Sequence, residues 1–458
     1  MNFSRSLSAL VLAAGKGTRM HSDKPKVLHT LLGEPMLWYV LESVRPLVGD
    51  GLRTIIGHRA DMIRDLCPAE TFVLQDQQLG TGHAVLCGWP DVLESGAEWC
   101  LVVNGDTPLI DGDVLRNFCE TLAQSKGDLG FITLTLADPQ SYGRVLRDAS
   151  GVVKGIVEAK DFDEKLHGSP TGEVNAGVYL LRVATMGPLL SRISADNRQQ
   201  EYYLTDLVDL AVADGLHVET MDAQDAPAFM GVNSPLELAA SEDVQRHRIV
   251  QRLLQSGVTI HNPSAARIGP RVVVEPGAEL FGPCEIYGAS HVAKGAVVES
   301  NTWINNSRIG SRSVVRCFSH LEGATLHEDC VAGPFARLRP DAVLEDQSRV
   351  GNFVEMKKAT LGRKAKAGHL SYLGDAVVGS GANIGAGTIT CNYDGKRKHT
   401  TEIGPGAFIG SNTALVAPVK VGANSLVGAG SVITKDVPDD SLAVARGKQQ
   451  CYSRKSKD

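Results

Sequence analysis

A period of six residues in its second half constrains the fold of this chain more than any other feature. From about Ile268 to Val437 the sequence divides into hexads such as Ile268-Gly-Pro-Arg-Val-Val, Leu280-Phe-Gly-Pro-Cys-Glu, Ile286-Tyr-Gly-Ala-Ser-His, Val378-Gly-Ser-Gly-Ala-Asn and Val427-Gly-Ala-Gly-Ser-Val. Each opens on an aliphatic residue and carries small residues behind it. An α-helix repeats about every 3.6 residues and a strand every two, so neither produces this spacing. A triangular coil does. Each hexad supplies a short strand and a corner, three hexads close a turn of roughly 18 residues, and the leading aliphatic residue points inward onto its counterparts one turn away. The regularity of that aliphatic position excludes a collagen-like or disordered reading of the 48 glycines.

The hexads stop after Ile389 and resume at Ile403, so residues 390–402 are expected to project as a loop, a favoured place for function on a rigid scaffold. Ahead of the coil, residues 1–234 alternate short apolar runs with helix-length amphipathic stretches. This predicts an α/β domain on a mostly parallel, Rossmann-like sheet, with helices on both faces and ligands at the carboxyl ends of its strands. Ser234-Pro235 offers an N-cap and first-turn pair for a linker helix over residues 235–257. Residues 258–458 are left to the coil and a short basic tail, which reads as a frayed terminus.

Composition excludes several classes. No run approaches the roughly 18–20 apolar residues of a membrane span, and a formal charge of −6 argues against a nucleic-acid-binding surface. The nine cysteines form no CxxC pair, which fits a reduced, cytoplasmic chain. The apolar run that ends at Ala14 is short for a secretory signal and passes directly into Gly15-Lys-Gly-Thr-Arg19.

That junction is the most informative segment of the first half. In Leu12-Ala-Ala-Gly-Lys-Gly-Thr-Arg-Met20, followed by Lys24-Pro-Lys26, a strand delivers the chain to a small-residue loop whose N–H groups can approach phosphates, with cations nearby. It is neither a Walker A nor a GxGxxG motif, and alone it leaves a phosphate site and a plain strand–turn–helix both open. Leu101-Val-Val-Asn-Gly-Asp106 places a carboxylate at a strand end. Gln75-Asp-Gln-Gln-Leu-Gly-Thr-Gly-His-Ala84, Tyr142-Gly-Arg144, Val157-Glu158 and Val174-Asn-Ala-Gly177 each pass, taken singly, for ordinary turns or strand ends.

Together these segments resemble the sugar nucleotidyltransferases, which join a sugar 1-phosphate to a nucleoside triphosphate. The resemblance implies Leu12, Ala13, Ala14 and Gly15 at the nucleotide, and Arg19 and Lys26 as catalytic cations on its phosphates. It implies Gln75, Gly80 and Thr81 at uracil, Asn104, Gly105 and Asp106 at the catalytic strand end, and Gly143, Glu158 and Asn175 at the sugar. Asp106 and Asn233, from Met230-Gly-Val-Asn-Ser, would hold Mg²⁺, for which oxygen ligands are suited.

In the coil, Phe335-Ala-Arg-Leu-Arg-Pro340 and Val354-Glu-Met-Lys-Lys358 bring cations to one surface at about one turn's spacing, and Lys366-Ala-Gly-His-Leu-Ser-Tyr-Leu-Gly-Asp375 adds a histidine available as a general base. With Asn383-Ile-Gly-Ala-Gly-Thr-Ile-Thr-Cys-Asn-Tyr-Asp-Gly395 these segments closely resemble the acetyltransferase half of the bacterial bifunctional UDP-N-acetylglucosamine pyrophosphorylase/glucosamine-1-phosphate N-acetyltransferases. Nearly the whole chain is covered, with both halves in order. The resemblance implies a left-handed parallel β-helix and a homotrimer. Arg339 and Lys357 would bind the phosphate of glucosamine 1-phosphate, His369 would deprotonate its amine, and Tyr372 and Asn383 would orient the sugar. Ala386, Asn392, Tyr393, Ser411, Ala429 and Arg446 would line the acetyl-CoA site. N-acetylglucosamine 1-phosphate would then take UMP from UTP, giving pyrophosphate and a cell-wall precursor. Two alternatives compete: a uridylyltransferase whose coil is only an oligomerisation rod, and a glucose-1-phosphate nucleotidyltransferase with a different acyl acceptor. An acetyl-enzyme on Cys391 ranks below direct attack, which needs no covalent intermediate.

Overall fold

The computed structural model describes residues 6–168, 171–223 and 225–453. The end of the basic tail, residues 454–458, lies outside them. The chain divides into two compact units, Met1–Gln245 and Arg246–Asp458. The division falls within a helix, Pro235–Gln255, opened by a reciprocal capping box: Ser234 Oγ accepts from the Glu237 amide, and the Glu237 carboxylate accepts from the Ser234 and Asn233 amides.

The first unit is built on the strands Leu7–Ala13 (β1), Leu52–Ile56 (β2), Phe72–Leu74 (β3), Trp99–Asn104 (β4), Leu129–Thr135 (β5), Arg144–Arg147 (β6), Val153–Val157 (β7), Glu173–Arg182 (β8) and Val218–Asp222 (β9). The main sheet runs β9-β5-β8-β4-β1-β2-β3, with β6 and β7 as an appended antiparallel pair. Pairings are parallel except where β8 meets β4 and β5. The reversed strand matters for the site: its beginning, Val174-Asn175, lies beside the carboxyl end of β4.

β1 buries both faces because apolar residues fill both alternating sets. Three helices, Met36–Val48 (α1), Thr81–Glu94 (α2) and Gly112–Gln124 (α3), cover the sheet. Ala9, Val11 and Ala13 pack with Val40 and Val44 of α1 and Leu115 and Phe118 of α3. Leu10, on the other face, packs with Val85 and Trp89 of α2. α3 starts where Asp111 accepts from the amides of Asp113 and Val114.

The second unit is a left-handed parallel β-helix. Ile268 stands in register with Ile286, 18 residues on, and the inward column continues through Ile304, Leu321, Leu338, Met356 and Leu373, all fully buried. The coil is not strictly hexameric. Val292 pairs with Ile309, 17 residues on, because the corner between Ile304 and Ile309 is one residue short and turns on Asn306 in the left-handed region, φ 46°.

The expected loop is also shorter than its hexad gap. Ile389–Cys391 and Thr401–Ile403 are strands, and Thr390, 1% exposed, takes the inward place of an aliphatic residue in register with Leu415. A buried threonine is tolerated there because its hydroxyl accepts from the Gly374 amide and donates to the Gly374 carbonyl. The projecting segment is residues 392–400.

Candidate functional site

Each unit carries its own site. In the first, the carboxyl ends of β1 and β4 open onto two cavities that share Asn104 and Asp106. The larger, about 530 Å³, is lined by Leu12, Ala13, Ala14, Gly15, Lys26, Gln75, Gly80 and Thr81, with Gln78 and Glu201. The smaller, about 200 Å³, is lined by Arg19, Gly143, Glu158, Asn175 and Asn233, with Tyr142 and Gly177. Arg19, Lys26 and Asn233 also face a polar recess beside Thr18.

At the junction, the Lys26 ammonium bridges the Asp106 carboxylate and the Asn233 amide oxygen, the latter at 2.9 Å. Gly17, at φ +62°, makes this approach feasible, because any Cβ there would overlap the Lys26 side chain. Two oxygens gathered around a cation are a donor set suited to Mg²⁺, which commonly takes one or two protein oxygens and completes its shell with phosphate and water. Among the described residues no group of three or more His, Cys, Asp and Glu is placed to hold a metal ion.

In the smaller cavity Asn175 is fixed from two sides: its amide nitrogen donates to the Tyr179 hydroxyl at 2.6 Å and its oxygen accepts from the Gly177 amide. Gly177, at φ +73°, leaves room for Asn104, with which a Cβ would collide. Burial pushes the Glu158 carboxyl above the usual carboxylate range, partly offset by a hydrogen bond from the Thr205 hydroxyl. Tyr142 accepts from the Gly231 amide and closes the cavity on the Asn233 side.

The second site lies on the coil. Arg339 donates to Glu355 at 2.9 Å, and Glu355 stands in register with Tyr372, Lys357 with Gly374. Lys398, and then Arg339, hold the Lys357 ammonium below the ordinary lysine range by charge repulsion. Three cations so placed, one of them paired with Glu355, could hold an anion. On the adjoining face His369 Nδ1 and Asn352 Oδ1 are 2.5 Å apart and in strand register. The amide oxygen only accepts, so Nδ1 carries the proton and Nε2 keeps its lone pair free.

Residues 392–400 form a built hairpin. Asp394 accepts from the Lys396 and Arg397 amides and pairs with the His399 imidazole at 2.7 Å, and these hydrogen bonds, that from the Arg397 amide foremost, hold its carboxyl well below the usual range. Asn392 anchors the hairpin to the coil by donating to Asp375. Ile384, Ile409 and Val427 align in successive turns, which brings Ala386, Ser411 and Ala429 to the same corner of three turns. Arg446 donates to the Ala429 carbonyl.

A model of MobA-like NTP transferase domains matches residues 9–148, and one of bacterial transferase hexapeptides, six repeats long, matches residues 400–435. Proteins called bifunctional protein GlmU are similar over almost their full length. That of Nitratidesulfovibrio vulgaris strain Hildenborough is 58% identical over 451 residues, covering 98% of each chain. That of Oleidesulfovibrio alaskensis is 56% identical over 444 residues, 96% of each. That of Lawsonia intracellularis is 48% identical over 450 residues, 98% of each. The chain belongs to the bifunctional GlmU family. It is a bifunctional transferase, with a uridylyltransferase first domain and a hexapeptide acetyltransferase second domain.

Within this GlmU-family chain, two expected residues stand apart from their groups. Gly105 lines neither cavity; its amide donates to the Leu12 carbonyl and ties the two loops together. Asn383 stands in register with Lys366, three residues along the strand before His369, rather than beside Arg339 and Tyr372. The expected residues leave out Asn352, Glu355 and Lys398 in the coil, and Gln78 and Glu201 in the larger cavity. Asn352 was detectable only as a polar residue one turn before His369, which requires knowing that this turn has 17 residues.

Proposed function

We propose that the chain makes UDP-N-acetylglucosamine in two steps. In the coil, glucosamine 1-phosphate binds with its phosphate on Arg339, Lys357 and Lys398. His369 Nε2 takes a proton from the ammonium group, the freed amine attacks the thioester carbonyl of acetyl-CoA, and the CoA thiolate leaves. Tyr372, in register with Glu355, orients the sugar. The small corner residues Ala386, Ser411 and Ala429, with Asn392, Tyr393 and Arg446, receive the cofactor. The observation that carries this reading is the Asn352–His369 pair beside a cluster of cations.

In the first domain, UTP would occupy the larger cavity and N-acetylglucosamine 1-phosphate the smaller. The sugar phosphate oxygen attacks the α-phosphorus and pyrophosphate leaves, with Arg19 and Lys26 holding the phosphates in line. Glu158 and Asn175 take the sugar hydroxyl and N-acetyl groups. Asp106 and Asn233 would hold Mg²⁺, which supplies neutralisation of phosphate charge. The product would feed cell-wall precursors. A cytoplasmic location is part of the proposal, supported by substrates of this kind and by nine cysteines with no CxxC pair among them. No described helix is long and apolar enough to cross a membrane.

A homotrimer through the coil is part of the proposal. It is supported by an exposed apolar ladder at one corner, where Phe318, Phe335 and Phe353 stack at 5.0 and 5.2 Å and Leu370 continues the row. Incubating the purified chain with glucosamine 1-phosphate and acetyl-CoA and following free thiol tests the first step. Thiol release that depends on the amino sugar supports it; none would leave the coil without the proposed acceptor.

A further inference from the structure

One residue of the Gly-Thr-Gly-His segment has no part in the mechanism above, and its contacts give it one. Gln75 is 2% exposed and lines the larger cavity. Its amide group lies 3.1 Å from the Gly80 carbonyl and 3.0 Å from His83 Nδ1. A carbonyl oxygen only accepts, so the Gln75 atom facing Gly80 is the NH₂ nitrogen. The same nitrogen faces His83, so Nδ1 is an acceptor and the ring proton sits on Nε2, which points at Cys87 Sγ, 3.8 Å away. The imidazole sits between this contact and the tilted Tyr202 ring, whose centroid is 6.2 Å from its own. Both amide hydrogens of Gln75 are thereby engaged, and among the described residues no donor reaches Oε1.

We infer that His83 is a positioning residue for nucleotide choice: together with Gly80 it locks the Gln75 amide so that an acceptor, and not a donor, is presented to the base. Uracil carries a donor at N3, whereas cytosine carries a lone pair there, so the lock favours UTP over CTP through an acceptor–acceptor clash with the wrong base. Without the imidazole only the Gly80 carbonyl opposes rotation of the amide, and the rotated form would accept cytosine. This rests on the reading of the larger cavity as the nucleotide site.

The test is the ratio of kcat/KM for UTP to that for CTP in uridylyl transfer, measured on the full chain. His83→Ala is expected to lower the ratio about tenfold, the loss of one oriented hydrogen bond. His83→Asn, whose side-chain oxygen falls near the place of Nδ1, restores it, and His83→Gln, which reaches the place of Nε2 instead, does not. Should the alanine variant fail to fold, the Asn and Gln pair carries the comparison alone. Gln75→Ala separates the two levels of the claim. If it collapses the ratio while the His83 variants leave it unchanged, the lock is wrong and the base site stands. If Gln75→Ala also leaves the ratio unchanged, the reading of the cavity is wrong.

Discussion

The Asn352–His369 pair shows how one hydrogen bond can choose a tautomer. With Nδ1–H donating to the Asn352 oxygen, Nε2 keeps the lone pair that a base needs. Asn352→Ala is expected to lower kcat for acetyl transfer about 10- to 100-fold with little change in KM for glucosamine 1-phosphate, because the ring then populates the wrong tautomer. Asn352→Asp, which still accepts, should retain most of the rate. Steady-state kinetics of thiol release distinguishes them. In the first domain the raised Glu158 pKa has a definite sign. The carboxylate is lost at a higher pH than an exposed one would be, so KM for the sugar phosphate in uridylyl transfer should climb on acidification before ordinary carboxylates titrate. Glu158→Gln removes that pH-dependent rise. The same shift costs stability as pH rises through the raised value, since the folded state holds its proton longer than the unfolded chain. Thermal unfolding at alkaline pH should therefore show the variant no less stable than its parent, with the difference shrinking in acid.

At the scale of elements, the coil was legible because its inward position tolerates so little: a residue there meets the neighbouring turns above and below, and only aliphatic side chains fill the space without stranding a polar group. Thr390 escaped that rule by hydrogen-bonding to Gly374 on both sides, which is why the hexads seem to end one strand early. The repeats shortened to five residues, such as Ile304 to Ile309, interrupt the spacing of six while keeping the same kind of inward residue. They decide which residues face each other, so partners a turn apart, such as Asn352 with His369 and Glu355 with Tyr372, could not be paired by counting in sixes. In the first domain the strand ends were legible as motifs, but their convergence depended on the reversed strand β8, which brings Asn175 to the edge where Asp106 emerges. The hairpin at residues 392–400 is held largely by Asp394. Asp394→Ala would remove the acceptor for two amides and the His399 partner, so amide hydrogen exchange across the hairpin should quicken and KM for acetyl-CoA should rise several-fold, while uridylyl transfer is unchanged. An unaltered KM would separate the hairpin from the cofactor.

For the whole molecule, we propose that two sites, each built within its own unit, serve consecutive reactions. The α/β unit gathers its polar groups at strand ends, as open sheets do. The coil instead stacks its polar groups one turn apart, Asn352 and His369 at the ends of adjacent strands and Glu355 and Tyr372 at the starts of the next pair. The two architectures therefore meet the same need, an anion site beside a reacting group, by different geometry, and neither borrows a side chain that the mechanism assigns to the other. The most direct test is to measure thiol release and pyrophosphate release in parallel on two variants of the full chain, His369→Ala and Asp106→Ala. Each variant is expected to lose its own activity by about a hundredfold or more and to keep the other within about twofold. Retained thiol release in His369→Ala, or loss of both activities in either well-folded variant, would contradict the proposal.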